Sequence, residues 1–250
     1  LLIYSIDLKS YSNLDTIIYQ KKRIEFEVEF LNRNYWVESN LDELLLIKDY
    51  ETGKNIRWDF IIYNKKLNEI YNEKILMDRS FTLYKKQSEN KNFNILYKKE
   101  YSNEKEYLLI KVRSDSSKIA QYNIKLPISS TILDFIILDD LFIFSSTTKK
   151  GEYLLSIYNT QNKRYKNLHA SLNINEKIIS INKINAYRFE INVLTKKLDK
   201  SNSIAKRKYD INGNEIEKLN ISIKNKSIIN GKFYEIDNKI IGIGFYGLMN

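Results

Sequence analysis

His169 is the only histidine in the chain, and cysteine is absent. A site with several histidine ligands, a thiolate metal site and a cysteine nucleophile are therefore excluded. A Ser-His-Asp relay has to pass through His169. That residue stands in KNLHASL, where a solvated loop residue is the simpler reading. Asp139-Asp140 in LDDLF, and Asp49 and Glu51 around Tyr50, are the close carboxylate pairs. Two carboxyl groups at a defined separation hydrolyse glycosides. Adjacent aspartates between apolar runs more often form a turn, because each side chain hydrogen-bonds nearby backbone. DINGNE, residues 210–215, lacks the repeated-acid frame and the closing glutamate of a calcium loop. The glycines of GIGFYG, residues 242–247, match neither a phosphate-cradling loop nor a dinucleotide fingerprint. No catalytic residue, metal site or cofactor is expected.

The charge pattern is the other source of chemistry. Forty-one Lys and Arg face 31 Asp and Glu, a net charge of +10, which suits an anionic partner. Basic clusters recur at Lys21-Lys22-Arg23, Lys85-Lys86, Lys98-Lys99, Lys149-Lys150, Lys196-Lys197 and Lys206-Arg207-Lys208. Lysines among aromatics bind single-stranded nucleic acid by phosphate contact and stacking. These clusters are spread along the chain and read as mixed turn types. Glu25, Glu27, Glu29, Glu215 and Glu217 lie between them. The expectation is a diffuse coat, with nucleic acid not the favoured partner. Tyr35, Trp36, Trp58, Tyr84 and Tyr246 are the candidate binding anchors, although Trp36 and Trp58 also fit a core.

The elements that must position these residues are strands. RIEFEVEF, residues 23–30, alternates at period two. RWDFIIY (57–63), EYLLIKV (106–112), ILDFIIL (132–138), LFIFSS (141–146), YLLSIY (153–158), RFEINVLT (188–195) and KIIGIGFYG (239–247) are rich in β-branched and aromatic residues. Polar clusters bound each run. Hydrophobic residues make up 43% of the chain, enough for a core, and no run reaches the roughly 18 apolar residues of a spanning helix. LLIYSIDLKSYS, residues 1–12, reads as a first strand rather than the tail of a leader.

YDINGNEIEKLNI, residues 209–221, has relatives at 62–75, 121–128 and 157–168. In each, a strand ends in Tyr followed by Asn or Asp, then a turn and a polar outer strand. Tyr63, Tyr122, Tyr158 and Tyr209 are expected near the ends of third strands. An inner apolar pair followed by a polar outer hairpin is the gradient of a propeller blade. The expected fold is an all-β propeller of four-stranded antiparallel blades, complete or incomplete, in a single domain over 1–250. Its blades lie near 22–78, 79–129, 130–171 and 172–222, with a partial fifth at 223–250. A β-sandwich or open meander is the alternative.

TIIYQKKRIEFEVEF, NYWVESNLDELLLIKDYETGK, IIYNKKLNEIYNEKI and KIIGIGFYGLMN resemble segments of secreted and cell-envelope propeller proteins of Bacteroidetes-type bacteria. The resemblance implies export to the periplasm or cell surface. It implies a non-catalytic scaffold that binds another protein, such as a subunit of an outer-membrane secretion or transport complex. Those proteins usually run longer, which implies a truncated chain here. A carbohydrate-binding or carbohydrate-active propeller is the second reading, and a basic surface for nucleic acid or anionic glycan the third.

Overall fold

The computed structural model describes residues 10–12, 16–18, 32–89, 92–100, 106–115, 118–126, 130–168, 172, 175–197, 202–222, 226–236 and 239–248. The chain divides into two compact units, Leu1–Leu126 and Pro127–Asn250. RIEFEVEF, Lys21-Lys22-Arg23 and His169 lie outside the described residues.

The first unit opens with a small hairpin, β1 (Ser10–Ser12) and β2 (Thr16–Ile18). Sheet I follows, with β3 (Asn32–Ser39), β4 (Glu43–Thr52), β5 (Asn55–Asn64) and β6 (Glu69–Asp78). Sheet II holds β7 (Phe81–Glu89), β8 (Asn92–Lys99), β9 (Glu106–Arg113) and β10 (Lys118–Lys125). The second unit holds sheet III, β11 (Ser130–Leu138), β12 (Leu141–Thr148), β13 (Tyr153–Asn159) and β14 (Tyr165–Asn167). Sheet IV is β15 (Glu176–Asn185), β16 (Arg188–Lys196), β17 (Asn202–Asp210) and β18 (Glu215–Ile221). A hairpin of β19 (Lys226–Ile236) and β20 (Lys239–Leu248) completes the order.

Every four-stranded sheet takes its strands in chain order and pairs them antiparallel. The fold is all-β and propeller-like, built of four-stranded blades. The Greek-key crossings of a sandwich do not occur among the described strands. No helix occurs among the described residues, so none is long and apolar enough to cross a membrane.

The sequence explains which strand goes where. Second and third strands are buried on both faces, and so read as continuous apolar runs. β4 buries Leu44, Leu45, Leu46 and Ile47 in succession, and β12 buries Phe142, Ile143 and Phe144. Fourth strands are mostly exposed, as in β18. In the first unit, Ile47, Trp58, Phe60 and Ile62 of sheet I pack against Phe93, Ile95, Tyr97 and Ile110 of sheet II. In the second, Ile136, Ile143 and Leu155 of sheet III pack against Phe189, Ile191, Val193 and Tyr209 of sheet IV. Truncating one of the fully buried phenylalanines to Ala costs about 3–5 kcal/mol.

First strands share a further device. The pairing of each first strand with its second shifts register, between Asn32 and Tyr35, Leu83 and Lys85, Ile132 and Asp134, Ile178 and Ser180, and Ile228 and Asn230, and β15 shifts again between Lys183 and Asn185. Such bulges add twist and bend to a strand. First strands are also stitched to each other. Asp134 on β11 accepts the Ile181 amide of β15 at 3.2 Å. On β7, the Lys86 ammonium reaches the Val37 carbonyl at 2.7 Å, and the Ser88 hydroxyl donates to the Ser39 carbonyl at 2.7 Å.

Three of the four tyrosines occupy equivalent places. Tyr63, Tyr158 and Tyr209 end the third strands β5, β13 and β17. Tyr122 does not: it lies on the fourth strand, β10, opposite Leu109. The chain of sheet II has already turned at Ser114-Asp115. Those residues are the turn formers there, ahead of the Tyr-Asn pair.

DINGNE is a hairpin turn. Asp210 Oδ1 accepts the amides of Asn212 and Asn214 at 2.9 and 2.8 Å. Burial alone pushes this carboxyl up, but the amides of Asn214, Asn212 and Gly213 and the Asn214 side chain outweigh it and hold it below its ordinary value. Gly213 has φ +81°, and a Cβ there falls inside the side chain of Leu168, the residue following β14. The two sheets meet closely at this turn, and the Lys166 ammonium caps the Asn212 carbonyl. Gly213→Ala is expected to lower stability by about 1–2 kcal/mol, from left-handed strain plus the clash with Leu168. Chemical denaturation of the two proteins reads the difference, and equal midpoints would remove Gly213 from the account.

Candidate functional site at a lysine-bearing end of the sheets

The aromatic candidates separate on the structure. Trp58 is buried at 2% exposure and stacks on the half-buried Trp36 at 5.1 Å. It meets Tyr97 edge-on at 4.7 Å. Trp58 is core and cannot serve as a surface anchor. Burial, and then the Asp49 carboxylate, push the Tyr97 hydroxyl well above its ordinary value. Tyr35 lies on the opposite face of sheet I, against the Leu44, Leu46 and Ile61 cluster. Tyr84 sits at the β7 bulge, 5.9 Å from Tyr107, with the Lys85 and Lys98 ammonium groups 6.0 and 5.8 Å from its ring. Tyr246 is on β20 opposite Ile228. Trp36 and Trp58 meet in one stacked pair, while Tyr35, Tyr84 and Tyr246 lie on β3, β7 and β20.

The carboxylate pairs are structural. Asp139 has φ +52° in the turn between β11 and β12, and the Asp140 carbonyl accepts the Thr160 amide at 2.8 Å. Asp49 is buried on β4, whereas Glu51 pairs with Arg79 at the strand end. Among the described residues, no group of three or more His, Asp or Glu stands close enough to hold a metal ion.

The basic clusters are where the structure departs most from the expected mixed turns. Strands alternate in direction, so second-to-third turns and fourth-to-first connections share one end of each sheet. Lys98-Lys99, Lys149-Lys150 and Lys196-Lys197 all lie at second-to-third turns, in sheets II, III and IV. Their neighbours decide their availability. In the first unit, Arg79 pairs with Glu51, Lys98 with Glu100 at 3.5 Å, and Lys99 and Lys125 both with Glu106 at 2.9 and 3.1 Å. Lys54 is the exposed lysine at this end without an ion pair among the described residues. In the second unit, Lys149, Lys150, Lys196 and Lys197 are all exposed, and none forms an ion pair among the described residues. Lys177, exposed at the start of β15, shares that end. Glu152 is its one exposed carboxylate among the described residues. Sheets III and IV share one apolar core, and each carries one of these lysine pairs at its second-to-third turn.

Two other clusters contribute to ion pairs. Lys86 pairs with Glu38 at 3.4 Å. Lys206, Arg207 and Lys208 lie within β17, each with its own carboxylate: Glu190, Glu176 and Glu217. The sequence separates these fates poorly, because the neutralising glutamates are distant in the chain, 31 residues for Arg207 and Glu176 and further for Lys86 and Glu38.

No protein-family model and no curated protein matches the sequence. Solved structures give distant matches. A point mutant of the apocarotenoid oxygenase of Synechocystis is 6% identical, with a TM-score of 0.44 over 77% of this chain and 49% of that one. The cobalt-substituted enzyme gives 0.43 at 6% identity, over 76% and 49%. A chimera of that oxygenase with RPE65, in a monoclinic crystal, gives 0.47 at 6% identity, over 90% and 59%. The chain thus spans about half the length of the structures it matches. The expected non-catalytic envelope scaffold is corrected here, because the structures found carry the names of enzymes. A likeness this distant brings no reaction, substrate or metal to this chain.

The carboxyl of Glu106 is held below its ordinary value of 4.5, chiefly by hydrogen bonds from Lys99 and then Lys125. A depressed carboxyl contributes stability above its unfolded value and loses that contribution as pH falls through the folded one. Carbon-detected NMR titration should find the Glu106 midpoint below 4.5, returning towards it in Lys99→Met/Lys125→Met. An unchanged midpoint in the double variant would show that these lysines do not hold Glu106.

Proposed function

We propose that this chain binds an acidic polymer at the end of its second unit that carries Lys149, Lys150, Lys196 and Lys197. The observation behind the reading is the contrast between two similar ends. Where the first unit answers most of its basic groups with carboxylates, the second leaves two lysine pairs at its second-to-third turns exposed and without an ion pair among the described residues. Adjacent like charges repel, and an external anion relieves that repulsion. Lysine is a flexible point charge without the planar fork that reads a base edge or a bidentate acid. Binding therefore follows charge density rather than sequence. Such a surface gathers an acidic substrate for an enzyme as readily as it holds a ligand.

The test is fluorescence anisotropy with a labelled sulfated oligosaccharide and a labelled single-stranded DNA. Four lysines meeting phosphates give a log–log salt slope of about −3, so DNA affinity falls about twentyfold between roughly 50 and 150 mM salt. The sulfated chain binds more tightly than DNA, having more charge per length. Lys149→Glu/Lys150→Glu/Lys196→Glu/Lys197→Glu should lose at least tenfold in affinity for both at low salt. The reversal Lys206→Glu/Lys208→Glu is a poor control, because both lysines are inside ion pairs; Lys163→Glu, exposed in the β13–β14 turn at the opposite end of sheet III, is the proper one and should change little. Equal affinity in the fourfold variant and the parent would reject the site.

A further inference from the structure

Lys206-Arg207-Lys208 looks, in the sequence, like a basic patch. In the structure its three charges go to three different strands. Lys206 Nζ lies 2.9 Å from Glu190 on β16, and both side chains are nearly buried. Arg207 pairs with Glu176 on β15, each with 3% of its side chain exposed. Lys208 Nζ lies 3.0 Å from Glu217 on β18. Together with β17 itself, every strand of sheet IV is engaged. We infer that this triplet is the register lock of sheet IV, the device that selects one pairing of β17 against its neighbours.

The argument is geometric. Successive residues point to opposite faces, so Arg207 faces the core shared with sheet III while Lys206 and Lys208 face away. Arg207 shares its face with Phe189, Val193, Ala205 and Tyr209, all in that core. A one-residue slip exchanges the faces. It turns two lysines into the apolar core, where Glu176 is the carboxylate available, and carries Arg207 to the side of Glu190. A two-residue slip keeps the faces but moves Arg207 by about 7 Å along the strand, out of reach of Glu176. Either slip leaves charges buried and unpaired, which is far costlier than the pairs are favourable. The apolar residues alone discriminate less, because β17 offers Ile204 and Ala205 below the triplet and Tyr209 above it. Ion pairs in buried positions have this registry role as their best-attested use.

The absence of cysteine makes the test clean, since any disulfide is an introduced one. Thr195→Cys with Ser203→Cys reports the native register, because the two positions are direct partners. Thr195→Cys with Ala205→Cys reports a slip of two. In the full chain with the triplet intact, mild oxidation should link the first pair and not the second. In a Lys206→Met/Arg207→Met/Lys208→Met background, the native link should fall several-fold and the slipped link should appear. Should that background fail to fold, the charge exchange Glu176→Arg/Arg207→Glu decides: it should restore the native link that Arg207→Glu alone destroys. A methionine background that keeps the native link in full and forms no slipped link overturns the proposal. So does an exchange that fails to restore the link.

Discussion

Burial of the middle strands from both sides is the constraint on which the rest of this protein depends. A strand in the middle of a blade faces a neighbouring layer on each side, so it has no solvent face to give away. Phe142, Ile143 and Phe144 on β12, or Leu44 to Ile47 on β4, meet that demand with unbroken apolar runs. Polar and charged residues are then confined to three places: the outer strand, the turns, and the few positions where a buried charge has its own partner. Each described basic cluster falls into one of these classes. The class, rather than the local sequence, decides whether the cluster is open to a ligand.

The two units answer the same problem differently. At the equivalent end, the first unit carries Glu51, Glu100 and Glu106 among its basic groups, and the result is a set of local ion pairs. Exposed pairs of this kind stabilise little, a few tenths to about 1 kcal/mol. Their larger effect is to cancel the field. The second unit has Glu176 near its equivalent end, but Arg207 draws that carboxylate into the core. The internal pair and the external excess are therefore linked: the glutamate that could neutralise Lys196 is committed to holding β17.

Much of the architecture was legible in the sequence because burial leaves a mark in composition. Third strands announced themselves by apolar runs ending in Tyr and a turn at Asn or Asp, as at Tyr63, Tyr158 and Tyr209. Tyr122 misled because an equally good turn, Ser114-Asp115, stood eight residues earlier. The charges were not legible. Lys149 and Lys206 look alike in one dimension, and only strand pairing separates them. Glu176 and Arg207 come together across the intervening strand β16, which no local pattern encodes. Trp36 and Trp58 were ambiguous for a related reason: a large aromatic suits an interface and a core equally, and their stacking fixes the outcome.

The central claim is that an acidic ligand settles on one end of sheets III and IV and nowhere else on the second unit. Hydrogen–deuterium exchange of the full chain, with and without a saturating sulfated oligosaccharide, tests it most directly. The account predicts slower exchange around 148–152 and 195–197 on binding. Exchange should be unchanged in the turns around 139–140, 186–187 and 211–214 at the opposite end. Protection of those opposite turns, or no protection at either end under saturation, would contradict it.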